Sequence, residues 1–124
     1  MSVEASIVTA LASVAGGRVF PAAAPEEEPN PLVVYRRTHY TPVMTLAGYA
    51  NQSYSEFIFE CWGAKSDVTT AKQSALDTAA SVVSALEAAA GLTNKFRLPL
   101  SDEESFDPST LEQMEPVKYG FWHT

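Results

Sequence analysis

Few side chains in this sequence have the type and spacing to do chemistry. Cys61 is the only cysteine, and His39 and His123 are the only histidines. A thiolate and imidazole pair built from Cys61 and His123 is therefore the one cysteine-based nucleophilic arrangement open to it, provided that neighbouring strands bring the two together. No third, orienting partner is identifiable. Cys61 shares its alternation phase with Phe57 and Phe59, which predicts a buried, inert thiol. Glu56 and Glu60 lie two pleats apart on one strand face and have the residue types of an acid and base pair for sugar hydrolysis. Solvated or oligomer-facing charges account for them more simply. The run Glu26 to Glu28 and the six acids of residues 101–115 offer oxygens to a divalent cation. They lack the alternating ligand spacing of a calcium loop and are read as solvated faces. Arg36 and Arg37 fall on opposite faces of a strand, so they cannot jointly grip one phosphate and are expected to pair with the surplus acids. A phosphate-binding glycine loop, a His-Glu-x-x-His pair, a nucleophile elbow and a Cys-x-x-Cys pair are all missing. No catalytic residue, cofactor or metal ligand is assigned.

The elements that would position these residues are legible from periodicity. Ser2 can cap a helix over 3–15, with Val3, Ile7, Leu11 and Val14 at helical spacing and Gly16-Gly17 as its stop. Residues 21–31 hold four prolines and the three consecutive glutamates, so they predict an extended, solvated arm with neither helix nor ladder. Leu32 to Tyr40 reads as a first strand and Thr41 to Gln52 as a long loop or irregular hairpin. Tyr54 to Trp62 is the clearest strand, with Phe57, Phe59 and Cys61 on one face and Glu56, Ile58, Glu60 and Trp62 on the other. Gly63 breaks it. Ser66 or Asp67 can then cap a second helix over 67–90, whose stripe of Val68, Ala71, Ala75, Ala79, Val82, Leu86 and Ala89 ends at Gly91. Such a helix is roughly 36 Å long and must cross the whole domain. Asp107-Pro108-Ser109-Thr110 predicts a turn. Val117 to His123 closes the chain as a strand with Val117, Tyr119 and Phe121 on one face, and Pro116 demands a bulge or an edge at its start.

The 124 residues suffice for one domain, 1–124, and fifteen acids against eight bases give a net charge of −7. That field repels phosphate backbones and disfavours sequence-specific nucleic-acid binding. A lone cysteine excludes an internal disulfide and fits a reducing compartment. The N-terminal segment carries Glu4 and lacks both a basic region and a continuous apolar run. The expectation is a chain that starts at Met1, has no membrane partner and stays soluble.

Together these elements predict an α+β domain: a mostly antiparallel or mixed sheet of about four strands with two helices on one face. Ile58, Trp62 and Trp122 then share the helix-free face with Glu56 and Glu60, and these five are the candidate partner-interface residues. An open face carrying two indoles is a large apolar patch that needs cover. That cover is either a partner or, alternatively, the chain's own proline arm or its 92–106 segment.

The order of a helix, Gly-Gly-Arg-Val-Phe-Pro, a proline-bearing arm and Pro31-Leu32-Val33-Val34-Tyr35 resembles the small tail-completion, or tail-terminator-like, proteins of long-tailed phages and prophages. The likeness continues in Thr45-Leu46-Ala47-Gly48, in Phe57-Ile58-Phe59-Glu60-Cys61-Trp62, in the Asp107-Pro108 turn and in the terminal Phe121-Trp122-His123. The resemblance implies an α+β fold and a non-enzymatic structural role in the virion, with assembly in the host cytoplasm. It implies a homo-oligomeric ring, a hexamer, at the head-proximal end of the tail tube. There the ring stops tube polymerisation and enables head joining. The implied partners are other copies, the tail tube protein and the head-tail connector protein, with DNA only as non-specific cargo through the lumen. A head-side connector ring is the neighbouring alternative, and a small Cys-dependent enzyme or a generic protein-binding module are the others.

Overall fold

Alternation marks Tyr54 to Trp62 as a strand, and pairing carries that strand further than its periodicity does. The computed structural model describes residues 2–24, 29–45, 48–65, 67–99, 105–107 and 112–123. Among them, strand β1 spans Val19–Pro21, β2 Leu32–Thr45, β3 Gly48–Trp62, β4 Asn94–Leu98, β5 Ser105–Asp107 and β6 Glu112–His123; helix α1 spans Val3–Ala10 and α2 Val68–Ala88. The strands form one mixed sheet in the order β1-β2-β3-β6-β4, with β5 also on β6. Only β1 and β2 run parallel. The class is α+β, as predicted, and no helix among the described residues is long and apolar enough to cross a membrane.

The helices cover one face. Phe57, Phe59 and Cys61 on β3 and Val117, Tyr119 and Phe121 on β6 are at most 1% exposed and join Ile7, Leu11, Val82 and Leu86 in one core. Alanines on α2 let its backbone approach closely: a Cβ on Gly63 would lie 2.5 Å from both the Ala71 carbonyl oxygen and the Ala75 nitrogen. Gly63 therefore serves helix-to-strand contact as well as ending β3. Asp67 caps α2 by accepting from Thr70 N–H at 2.8 Å, while Ser66 lies outside the described residues.

Several boundaries differ from the sequence pattern, each for a physical reason. The first helix ends at Ala10 instead of residue 15, because the chain tightens into a 3-10 turn over Val14–Gly17 with Ala15 and Gly16 at positive φ. Leu11 and Val14 are buried nonetheless, so the stripe was apolar for packing and not for helix. The arm is not wholly without a ladder: Pro21 belongs to β1, which pairs with Val33, Val34 and Tyr35. The irregular-hairpin reading of 41–52 is the correct one, since β2 and β3 pair out to Thr45 opposite Gly48, with register shifts between Arg37 and His39 and between Pro42 and Met44. Leu46, Ala47, the Glu26 to Glu28 run, Ser101 with the acidic residues Asp102, Glu103 and Glu104, and the Pro108 to Thr110 part of the predicted turn lie outside the described residues. The described residues of the 92–106 segment supply edge strand β4 and the start of β5.

Pro116 causes no bulge, because β6 stays in register with β3 on both sides of it. Gly63 N–H donates to the Gln113 carbonyl, so odd-numbered residues of β6 face β3 and Pro116 turns its donorless nitrogen the other way. There β4 pairs no further than Lys118 and β5 begins at Met114. Among the described residues the proline thus occupies a local edge, where no ladder bond is lost.

The helix-free sheet face as candidate functional site

Register fixes which side chains share the helix-free face. Trp62 stands between Leu32 and Met114, Glu60 between Val34 and Pro116, Ile58 between Arg36 and Lys118, and Glu56 between His39 and Gly120. Tyr54 stands beside Trp122, and Phe96 of β4 lies opposite Gly120. The alternation thus puts Glu56, Ile58, Glu60, Trp62 and Trp122 on one surface, but it does not make that surface uniformly apolar.

Three zones follow one another along the strands. At one end Tyr54 stacks on Phe96, with centroids 5.9 Å apart and planes 11° apart, and meets Trp122 at 4.8 Å. Gly120 lies beneath this ridge; a Cβ there would come within 2.5 Å of the Tyr54 hydroxyl and 2.8 Å of Phe96. Phe96 and Trp122 remain 40% and 42% exposed. A charged band forms the middle. Arg36 pairs with Glu60 at 3.0 Å and Lys118 with Glu56 at 3.5 Å. The Tyr54 hydroxyl donates to Glu56 at 2.7 Å. That hydrogen bond, helped by Lys118, holds the Glu56 carboxyl below its ordinary range. Burial and then the same glutamate push Tyr54 up to about 12. Ile58 is only 6% exposed; it stands between Arg36 and Lys118, side chains whose long apolar stems can cover a neighbour while their charged heads stay in water. The expectation of an exposed Ile58 is corrected accordingly.

At the other end lies a groove of about 780 Å³ between Trp62 and the arm residues Ala22 to Ala24 and Pro29. Asn30 anchors the arm by donating to the Gly63 carbonyl at 3.0 Å and to Glu112 at 3.1 Å. Trp62 is half-buried, so the proline arm covers this end of the face in part and leaves Trp122 as the more open indole.

The other candidate chemistries are separated by the same register. Cys61 pairs with Glu115 and Ser53 with His123, so the thiol and the imidazole stand eight residues apart along the sheet, roughly 26 Å. Burial also pushes the Cys61 thiol up to about 12, against thiolate formation. The imidazole of His123 instead meets the Ser55 hydroxyl at 2.7 Å, a pair that only knowledge of register could have revealed. Ser55 is fully buried, so its oxygen is not presented to a substrate. Glu56 and Glu60 are each engaged by a cation, and Arg37 leaves Arg36 for the opposite face, where it stacks over Tyr40 at 4.8 Å. Among the described residues no group of three or more His, Cys, Asp or Glu side chains is placed to hold a metal ion.

What the arrangement can do chemically is present rings and paired charges to another macromolecule. Sequence reasoning missed Tyr54 and Phe96 as members of this surface; Phe96 lies on a strand whose mostly exposed residues carry no alternation signal. No protein-family model matches the chain, and no curated protein matches it.

Proposed function

We propose that this chain is a structural phage protein of the tail-completion type. It forms a ring at the head-proximal end of the tail tube, ends tube polymerisation there and presents the surface on which the head joins. The observation that carries this reading is the ridge of Tyr54, Phe96 and Trp122, with two large rings about 40% exposed beside a band of paired charges. Exposed aromatic side chains bordered by polar residues are the composition of a protein contact. The segments that carry the family resemblance also build the sheet: the Val-Phe-Pro run is β1, Leu-Val-Val-Tyr opens β2, the Phe57 to Trp62 run closes β3 and Phe-Trp-His ends β6. A net charge of −7 suits a lumen through which DNA passes without adhering.

The test is electron microscopy of a phage lacking this protein. Tails of irregular length, or tails that fail to join heads, are expected; tails of normal length attached to heads would overturn the reading. A head-side connector would use the same kind of surface and is distinguished in the same images, because its loss leaves tail length normal and heads bare.

A further inference from the structure

Arg37 is an arginine that the surplus of acids leaves over. Arg36 pairs with Glu60, whereas Arg37 has no carboxylate partner among the described residues and lies over the Tyr40 ring, 4.8 Å from its centroid. Both side chains are exposed, that of Tyr40 by 49%. They stand on the helix-bearing side of β2, since Arg37 is opposite the core residue Phe57, and past Tyr35, where the pairing with β1 stops. A guanidinium already stacked on a ring has lost part of its side-chain freedom, so pairing with a carboxylate costs less further ordering.

A matching surface lies on the other side of the protomer. Leu76, Ala80, Val83 and Glu87 form one line along α2, and a groove of about 380 Å³ lies between Leu76, Ala80 and Val83 of that line and the side chains of Arg97 and Glu115. Leu76 is 38% exposed. Glu87 is exposed too, and its partner among the described residues is the Tyr119 hydroxyl and not a cation.

Register puts the two surfaces at one height. Arg37 is opposite Phe57, Phe57 opposite Tyr119 and Tyr119 opposite Arg97, a row straight across four strands and roughly 14 Å from end to end. Glu87 is fastened to that row through Tyr119. A neighbour rotated about an axis along the strands therefore brings its Arg37 toward Glu87 without a shift along them. Direct pairing of β2 with β4 is opposed, because Lys95 and Arg97 of β4 share the helix side with Arg37 and like charges on facing strands repel. Glu87 and Glu115 outnumber Arg97 around the groove, which leaves the α2 side as the one that takes a cation.

We infer that Arg37 and Tyr40 of one copy dock on the α2 groove of a second copy, with Arg37 on Glu87 and the Tyr40 ring against Leu76, Ala80 and Val83. The two surfaces are unlike and lie on opposite sides of one protomer, the arrangement that closes into a ring. Tyrosine and arginine are also among the side chains that dominate protein contacts. This contact rests on the reading of the chain as a ring protein and names the surfaces that close the ring, leaving the aromatic ridge on the helix-free face for the tube.

Light scattering behind size exclusion tests it on the wild type, on Arg37→Glu, on Glu87→Arg and on the exchange Arg37→Glu/Glu87→Arg, each checked for a native circular dichroism spectrum. The wild type is expected to be oligomeric and each single reversal monomeric. The exchange is expected to regain the wild-type mass, because it restores the ion pair with its sign inverted. Arg37→Gln and Glu87→Gln, the second of which keeps an acceptor for the Tyr119 hydroxyl, are each expected to weaken assembly about tenfold and serve if a reversal fails to fold. Ala80→Arg, a good helix former at an exposed position, is expected to fill the groove and abolish assembly. A single reversal or an Ala80→Arg variant that keeps the wild-type mass, glutamine variants that assemble as tightly as the wild type, or a folded exchange variant that stays monomeric overturns the contact and leaves the ring reading standing on the wild-type mass. A monomeric wild type also overturns the contact, and the ring reading is then decided by the tail images alone.

Discussion

Gly63 and Gly120 are the residues at which one missing Cβ governs packing, and they differ in what a methyl group would meet. At Gly63 the obstruction is the backbone of α2, 2.5 Å away at Ala71 and Ala75. A helix backbone cannot yield without moving the core side chains it carries, so Gly63→Ala is expected to cost about 3 kcal/mol, the upper part of the overpacking range. At Gly120 the obstruction is the far ends of the Tyr54 and Phe96 rings, and half-exposed rings can swing outward. Gly120→Ala is expected to cost about 1 kcal/mol while dispersing the stacked ridge. Urea unfolding checks the order of the two costs, and near-ultraviolet circular dichroism checks the loss of ring stacking in the second variant. Equal costs would mean that α2 does not rest on Gly63 as closely as its geometry indicates. The same two glycines show how a residue's role escapes sequence reading: each looks like a strand breaker, yet one admits a helix and the other admits two rings.

Strand β6 is tied to α2 by the Tyr119 hydroxyl, which donates to Glu87 at 2.7 Å, as Tyr54 on β3 is tied to Glu56. Burial, followed by these glutamates, pushes both phenols from 10.0 up to about 12. A group whose pKa is raised on folding contributes stability that is fully present below its unfolded value and lost as pH rises through its folded value. Stability is therefore expected to fall between about pH 10 and about pH 12, and Tyr119→Phe should flatten part of that fall while costing about 1 kcal/mol at neutral pH for the lost hydrogen bond. Urea midpoints across that range check it; an unchanged alkaline limb in Tyr119→Phe would show that the hydroxyl does not report on folding. The elements that carry this linkage were legible where one face is buried and the other is not, as in Tyr54 to Trp62, or where an apolar stripe runs unbroken, as along α2. The missed strands lack that contrast. β4 is mostly exposed and β1 is three residues of parallel pairing. The distal hairpin contains Pro42 and Gly48, the residues that ordinarily mark loops. Of the candidate site, face membership followed from period two, but cover did not. Ile58 is buried between cross-strand Arg36 and Lys118 and Trp62 is half-buried beside the returning arm, placements that depend on register and tertiary path.

For the whole molecule, the unequal cover of one sheet face leads to an outcome that fold stability alone would not produce. Ile58 and Trp122 lie on the same face, one 6% and the other 42% exposed, so their truncations should separate folding from docking. Ile58→Ala removes a buried side chain and is expected to destabilise the protomer by about 2–4 kcal/mol. Trp122→Ala should cost less, about 1 kcal/mol, because its ring is 42% exposed and packs on Tyr54, and should leave self-association intact. What Trp122→Ala should lose is binding to tail tubes prepared from phage lacking this protein, read by co-sedimentation. The two tryptophans of the chain permit an independent measurement: in Trp62→Phe the remaining indole reports on the ridge. Its emission should shift to the blue and its quenching by iodide should fall when tubes are added, because docking takes the ring out of water. If Trp122→Ala sediments with tubes as the wild type does, and the single-tryptophan emission is unmoved by them, then the aromatic ridge faces neither tube nor ring and its exposure serves some other contact. If both measurements change while the mass of the free oligomer does not, lateral closure and axial docking reside on separate surfaces of one sheet.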